Sequence, residues 1–354
     1  MDIAVIGLGA SGSQLARQLA ISSVERLSLF DIDARRLRRT TTAVEAIADD
    51  ATTEVTSGPI LDEPVPDVVA IATPVGTQLE LARTWLSRGS DVVTTSDDPD
   101  EVSGLLELHD EAVEAGRSVV VGAAFVPGLS CVLTRFAADG LDEVEVISVY
   151  KAATGGPACA RQHHRALKSS GYDWLDGEWV LRRGGSGRDL AWFPDPFGAR
   201  DCYRGALPSP FLLQPVFPAA QRISARMAAT RRDRFTSRLP MLRPPHADGG
   251  PGALRVEVRG RRDRAVETII LGVIDHPSVV TGIVAAIVTE EVGSGRVAPG
   301  AAGLATWDDP AALLRLLWPR GVRVASFDGT LEAQLSEPAP TISSVIDADL
   351  AATD

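Results

Sequence analysis

The sequence Gly7-Leu-Gly9-Ala10-Ser11-Gly12 constrains this 354-residue chain more than any other feature. It follows the apolar run Ile3-Ala-Val-Ile6 and opens the amphipathic stretch Ser11 to Ala20, so it sits where a strand hands over to a helix. Asp31 closes the next apolar run, Leu27-Ser-Leu-Phe30, 19 positions after Gly12. Alone, G-x-G-x-x-G is a weak signal; with a strand before it, a helix inside it and an acid after the second strand it reads as a dinucleotide-binding β-α-β unit. Gly7 permits the tight turn, Gly9 lets a pyrophosphate approach the main chain, and Gly12 lets the helix pack close to the strand. The free N–H groups of Ala10, Ser11 and Gly12, with the helix dipole behind them, suit a diphosphate. Asp31 would accept hydrogen bonds from the adenosine ribose, which favours NAD because a 2′-phosphate would be repelled. Arg35 and Arg36 just beyond could clamp that phosphate instead, so NAD and NADP both stay open.

The same rhythm continues to residue 125. Arg35 to Ala48 reads as a helix, Val68-Val-Ala-Ile-Ala72 as a strand, Thr77 to Ser87 as a helix, Asp91 to Thr94 as a strand, Glu101 to Ala115 as a helix and Ser118 to Val121 as a strand. The uninterrupted apolar character of residues 68–72 is that of a strand buried on both faces. Strands alternating with helices imply an α/β fold, a doubly wound parallel Rossmann sheet over residues 1–125. Ligands in such sheets bind beyond the carboxyl ends of the strands. Thr73 and Pro74, after one strand, and Ser96, after the next, are therefore expected to line the nicotinamide side.

The rhythm changes at Pro127-Gly128. Leu129 to Ala138 reads as a helix and Glu143 to Tyr150 as a half-exposed strand. Residues 151–252 are dense in Gly, Pro and Arg, and support no element assignment. Leu254 to Val258 and Glu267 to Val273 look like paired antiparallel strands, and Ser278 is placed to cap an apolar helix ending near Gly293. Pro310 to Trp318 is a short helix and Gly321 to Phe327 a last strand. The expected division is a second, α+β substrate and dimerisation domain over 126–305. Residues 306–330 then return to pack on the Rossmann domain, and 331–354 form a disordered acidic tail.

The net charge of −12 speaks against a nucleic-acid surface. Residues 151–264 nevertheless carry 21 Lys+Arg against 10 Asp+Glu, so a basic middle sits in an acidic chain and points to a small anionic substrate. No stretch reaches the roughly 18 apolar residues of a membrane span. The first residues form a strand pattern rather than a leader, which gives a cytoplasmic expectation. Cys131, Cys159 and Cys202 stand far apart without a C-x-x-C, so neither a disulfide framework nor a zinc site is expected. No spacing of acids or histidines suggests another metal.

Gly122-Ala-Ala124-Phe-Val-Pro-Gly128-Leu-Ser130 resembles the G-x-G-x-x-P-G-L-S junction of saccharopine dehydrogenase-like oxidoreductases, with Ala124 in place of the second glycine. Trp192-Phe-Pro194-Asp-Pro-Phe-Gly198 resembles that family's F-P-x-P-x-G segment, and Thr281-Gly282 its T-G helix. Gly300 to Leu317, with Gly321-Val-Arg-Val after it, resembles its C-terminal return, although Ala305-Thr-Trp307 replaces the usual proline–glutamate. The resemblance implies a Rossmann domain joined to a mixed domain, often dimerising through the latter. It places Ala124 beside the cofactor and implies an NAD(P)-dependent oxidoreductase acting at a carbon next to a carboxylate, on a C–N bond of an amino-acid-like substrate. A homoserine or semialdehyde dehydrogenase-like enzyme and a non-catalytic nucleotide-binding scaffold remain alternatives. Sugar dehydrogenases with a Glu-Lys-Pro loop are disfavoured, because the loop here reads Ser96-Asp97-Asp98-Pro99.

Hydride transfer needs a proton donor beside the reacting carbon. The adjacent pair His163-His164 follows the Gly155-Gly156-Pro157 turn, and a histidine titrates near neutrality. On a helix His164 and Lys168 would share a face. Lys151 ends a strand just past the junction, and His276 stands at a helix entrance. These five are the catalytic candidates; Tyr172, Asp173 and Arg204 are weaker ones, and Arg231 to Arg234 reads as a solvated face.

Overall fold

The computed structural model describes residues 1–22, 24–48, 54–57, 64–241, 245–247 and 249–326; the acidic tail expected at 331–354 lies outside the described residues. Strands β1 (Asp2–Ile6), β2 (Arg26–Phe30), β3 (Glu54–Ser57), β4 (Val68–Ile71), β5 (Asp91–Thr94) and β6 (Ser118–Val121) form one parallel sheet in the order 3-2-1-4-5-6, that of a Rossmann domain. Helices α1 (Ala10–Ala20), α2 (Ala34–Glu45), α3 (Gln78–Ser87), α4 (Pro99–Leu106) and α5 (His109–Ala115) connect them. Every residue of β4 is buried, as its apolar run requires. Strand β3, polar and at the edge, has no apolar pattern to announce it.

After α6 (Leu129–Ala138) the chain builds a mixed sheet. Its elements are β7 (Glu143–Ala152), α7 (Pro157–Lys168), β8 (Gly171–Leu175), β9 (Glu178–Arg182), β10 (Asp189–Phe193), β11 (Gly198–Arg204), α8 (Ser209–Leu213), β12 (Arg222–Ala228), α9 (Arg231–Thr236), β13 (Gly252–Arg262) and β14 (Ala265–Asp275). The order is β10-β11-β12-β7-β13-β14, with the β8–β9 hairpin attached to β12. Helix α6 packs against β13 and β14. The Trp192 to Gly198 segment is the β10–β11 turn.

The chain then returns. Helix α10 (Pro277–Gly293) is buried nearly all round, as a helix without a polar face must be. It lies across β4 and β5 beside α1. The two helices touch at Gly282, where a Cβ would stand 2.5 Å from the Gln14 Cβ and 2.7 Å from the Leu15 nitrogen. Strand β15 (Gly300–Gly303) then adds to the first sheet, parallel to β6 and in register from Gly300 opposite Ser118. Helix α11 (Pro310–Leu317) packs on α6 and α10, and β16 (Ala325–Ser326) pairs with β14.

The structure differs from the expected division at 305 and 306–330. Residues 277–303, assigned to the second domain, cover and extend the first sheet, whereas the last strand joins the second sheet. Helix α10 also starts earlier than expected: His276 is its N-cap, Pro277 takes the first helical position and Ser278 is buried inside the helix. Among the described residues no helix is long and apolar enough to cross a membrane.

Candidate functional site

The Gly-rich turn between β1 and α1 has room for a ligand on one side and none on the other. Gly7 sits at φ +91°, and a Cβ there would meet the Ala72 carbonyl at 2.8 Å. A Cβ on Gly12 would overlap the Gly7 carbonyl oxygen, so α1 rests on the turn itself. Gly9 faces open space, and no side chain caps the start of α1, where Ala10 and Ser11 begin the helix. An uncapped helix start with open space beside it is able to accept an anion such as a diphosphate. The buried Asp31 carboxylate accepts the Leu8 N–H at 2.7 Å and the Asp33 N–H at 2.7 Å, which fixes it at the end of β2.

The cation beside Asp31 is Arg36, 3.4 Å away, not Arg35. Arg35 is exposed, and its main-chain N–H serves Asp33, the cap of α2. Thr73 lies against Gly7 and accepts a hydrogen bond from Thr77 at 2.8 Å, while the Pro74 carbonyl also accepts from Thr77. Ser96 is buried and donates to Glu101 at 2.7 Å, so its hydroxyl is spent on the loop rather than offered to a cofactor. The other Glu101 oxygen accepts the Gly76 and Gln78 N–H groups, so one carboxylate braces the loops after β4 and β5. Glu101→Ala would strand these donors; we expect it to lower stability by about 2 kcal/mol, read as a fall in urea midpoint. Ala124 is buried in its turn, its N–H bonded to Gly122 and its carbonyl to Leu129, so it has no N–H to offer a cofactor. The Phe125 N–H instead reaches Thr281 on α10.

The second domain meets the Gly-rich turn at the start of α7. A Cβ on Gly156, the residue capping α7, would stand 2.6 Å from the Ala10 Cβ, so the two helix starts abut. Behind them, Lys151 of β7 is buried with its Nζ 3.6 Å from Asp97 Oδ2, on the loop after β5. Cys159, in the first turn of α7, donates its thiol toward the same oxygen at 4.0 Å. Gln162, one turn later and buried, donates to Asp98 at 2.8 Å. Burial pushes the Asp97 carboxyl above the usual carboxylate range, with Lys151 opposing and Asp98 reinforcing it. Burial, and then Asp97, raises the Cys159 thiol.

The other catalytic candidates do not gather there. Burial, and then the Lys151 charge, pushes His163 down to about 3, so near neutrality it is an uncharged imidazole rather than the imidazolium acid. His164 points elsewhere, its Nε2 2.9 Å from the Leu239 carbonyl oxygen. Lys168 and His276 are exposed, the latter capping α10. Several arginines of the basic middle are held within their own sheet. Arg204 and Arg182 share Asp173, Arg226 bonds Ser224, and Arg255 bonds Glu257 and the Trp192 carbonyl. Arg204, Arg226, Tyr150 and Arg255 stand in register across neighbouring strands, and Tyr203, Met227, Lys151 and Leu254 form the next row, on the opposite face. Pleating therefore turns Lys151 to the face packed by α6 and the arginines away from it.

Sequence reasoning missed Asp97, Cys159 and Gln162 as site residues. Asp97 and Asp98 lie in the loop after β5 that was expected to line the nicotinamide side, but there only Ser96 was singled out. Among the described residues no group of three or more His, Cys, Asp or Glu is arranged to hold a metal.

Together these features define a protein built on a Rossmann-type parallel sheet joined to a second, mixed sheet. No family model matches the sequence. The fold is similar to that of apo saccharopine dehydrogenase (L-Glu forming) from Saccharomyces cerevisiae, with a TM-score of 0.68 at 13% identity over 92% of this chain and 99% of that one. An amine dehydrogenase from Mycobacterium smegmatis aligns with a TM-score of 0.49 at 13% identity over 85% and 94%. A DAP dehydrogenase from C. glutamicum, in complex with DAP, aligns at 0.48 and 13% identity over 90% and 98%. At such identities the first likeness establishes a shared fold.

Proposed function

We propose that the protein is an NAD(P)-dependent oxidoreductase of the saccharopine dehydrogenase-like kind. It transfers hydride to or from an imine or ketone carbon of a small, anionic, amino-acid-like substrate. The observation that carries this reading is the approach of Lys151 and the start of α7, from one domain, to the carboxyl end of β5 and the start of α1, from the other. That is where ligands of open α/β sheets bind. Gly9 and the uncapped first turn of α1 would hold the diphosphate, and Asp31 the adenosine ribose. A bound nicotinamide would supply or accept the hydride. Lys151 gives the cleft a buried positive charge for the substrate's anionic or electron-rich end.

Titration calorimetry tests the cofactor first. NAD(H) is expected to bind at least tenfold more tightly than NADP(H), about 1.4 kcal/mol, because the Asp31 carboxylate would accept from ribose hydroxyls and repel a 2′-phosphate. Gly9→Asp should abolish binding by filling the open space at that position with a negative charge. Failure of the wild-type protein to bind either nucleotide would remove the basis for an oxidoreductase. A substrate screen with keto acids, with and without added amine, then separates C–N chemistry from a semialdehyde dehydrogenase activity.

A further inference from the structure

Resting on that reading, we propose that Asp97 is the acid–base residue of the reaction, with Lys151 as the group that stabilises its ionised form. The loop Ser96-Asp97-Asp98 leaves the carboxyl end of β5 where the second domain meets the first sheet. Its two outer side chains are spent on structure: Ser96 on Glu101, and Asp98 on capping α4 and on Gln162. Asp97 between them turns to the second domain, where Lys151 of β7 lies 3.6 Å away and Cys159 of α7 4.0 Å away. These, with Asp98 on the loop itself, are the titratable groups facing it; His163, close enough to Lys151 to feel its charge, stays neutral.

A purely structural role does not explain the pair. Both side chains are largely buried, at 7% and 15% exposure, and a buried ion pair is often no better than apolar residues of the same size. A carboxyl raised by desolvation and faced by a specific cation in a cleft is instead suited to proton transfer. In the reductive direction hydride forms the new C–H bond at the imine or ketone carbon. The π electrons move to nitrogen or oxygen, and that atom takes the proton from Asp97. The carboxylate left behind is stabilised by the Lys151 ammonium. Oxidation reverses each transfer, with the Asp97 carboxylate as base.

The test compares Asp97→Asn and Asp97→Glu with the wild-type full-length chain. Asp97→Asn should lower kcat by about 100-fold or more, with NADH affinity unchanged. In the reductive direction the wild-type rate should fall as pH rises through the Asp97 ionisation, and this limb should vanish in Asp97→Asn and persist, displaced, in Asp97→Glu. Retention of the limb in Asp97→Asn overturns the proposal. Thermal unfolding separates a structural from a chemical role: Asp97→Asn leaves the buried Lys151 without its counter-ion and should lower the midpoint, whereas the double variant Asp97→Asn/Lys151→Met should restore the midpoint but not kcat, and recovery of kcat together with the midpoint would make the pair structural and overturn the proposal. If the wild-type protein binds NADH but transfers no hydride to any substrate, the oxidoreductase reading fails separately, and with it the proton-transfer role.

Discussion

Gly12→Val is expected to lower the urea midpoint of the chain sharply and to abolish nucleotide binding. Even the first carbon of a side chain at this position overlaps the Gly7 carbonyl oxygen, and main-chain atoms cannot rotate away as a flexible side chain can. Gly7 has no slack either, because it is held at φ +91° against the Ala72 carbonyl. The start of α1 must therefore lift from the turn, which moves the N–H groups that would face a diphosphate. Overpacking of this kind costs about 3 kcal/mol at the upper end of its usual range. Calorimetric titration with NAD alongside a urea melt checks both effects. An unchanged midpoint would mean that α1 and the turn are not in the contact described.

The second expectation concerns acid. His163 is held neutral by burial, with its pKa pushed from 6.5 down to about 3. In the unfolded chain this imidazole takes up a proton once pH falls below 6.5, whereas in the folded chain it does so only near 3. Its contribution to stability is thus complete above pH 6.5 and is lost progressively as pH falls toward 3. The full difference corresponds to roughly 5 kcal/mol. His163→Gln, which cannot titrate, should flatten the fall in urea midpoint between pH 7.5 and 4.5. Asp97 works in the opposite sense, since its raised carboxyl favours the folded state as pH falls, so variant and wild type are compared at each pH. Equal slopes for the two proteins would show that His163 is solvated.

The parts of the fold legible in the sequence are those in which local pattern and burial agree. The apolar run Val68 to Ile71 can only be a two-sided buried strand, and the Gly7, Gly9 and Gly12 spacing has one structural use. Polar β3 and the short hairpins between 171 and 204 carry no such pattern, because their faces are half solvated and stabilised by pairs such as Arg204 with Asp173. The catalytic side was harder to read for a different reason. Lys151 and Asp97 are 54 positions apart and meet only across two domains. His163 looked suited to proton transfer by its ordinary titration, and it is burial, a tertiary property, that removes it. The excess of arginine suggested an anion site, but pleating turns Arg204, Arg226 and Arg255 to the opposite face from Lys151.

The return of β15 beside β6 limits how the two halves can move. The chain passes between the sheets after β6, again at Asp275–Pro277 before α10, and a third time between β15 and β16. A single connection would act as a ball joint, free to swivel. Several connections act together as a strap hinge, which tolerates flexing that opens and shuts the jaws but strains on torsion. Any breathing of the jaws would therefore bring Lys151 back to the same aspartate each time they shut, with the alignment of the catalytic groups built into the backbone path.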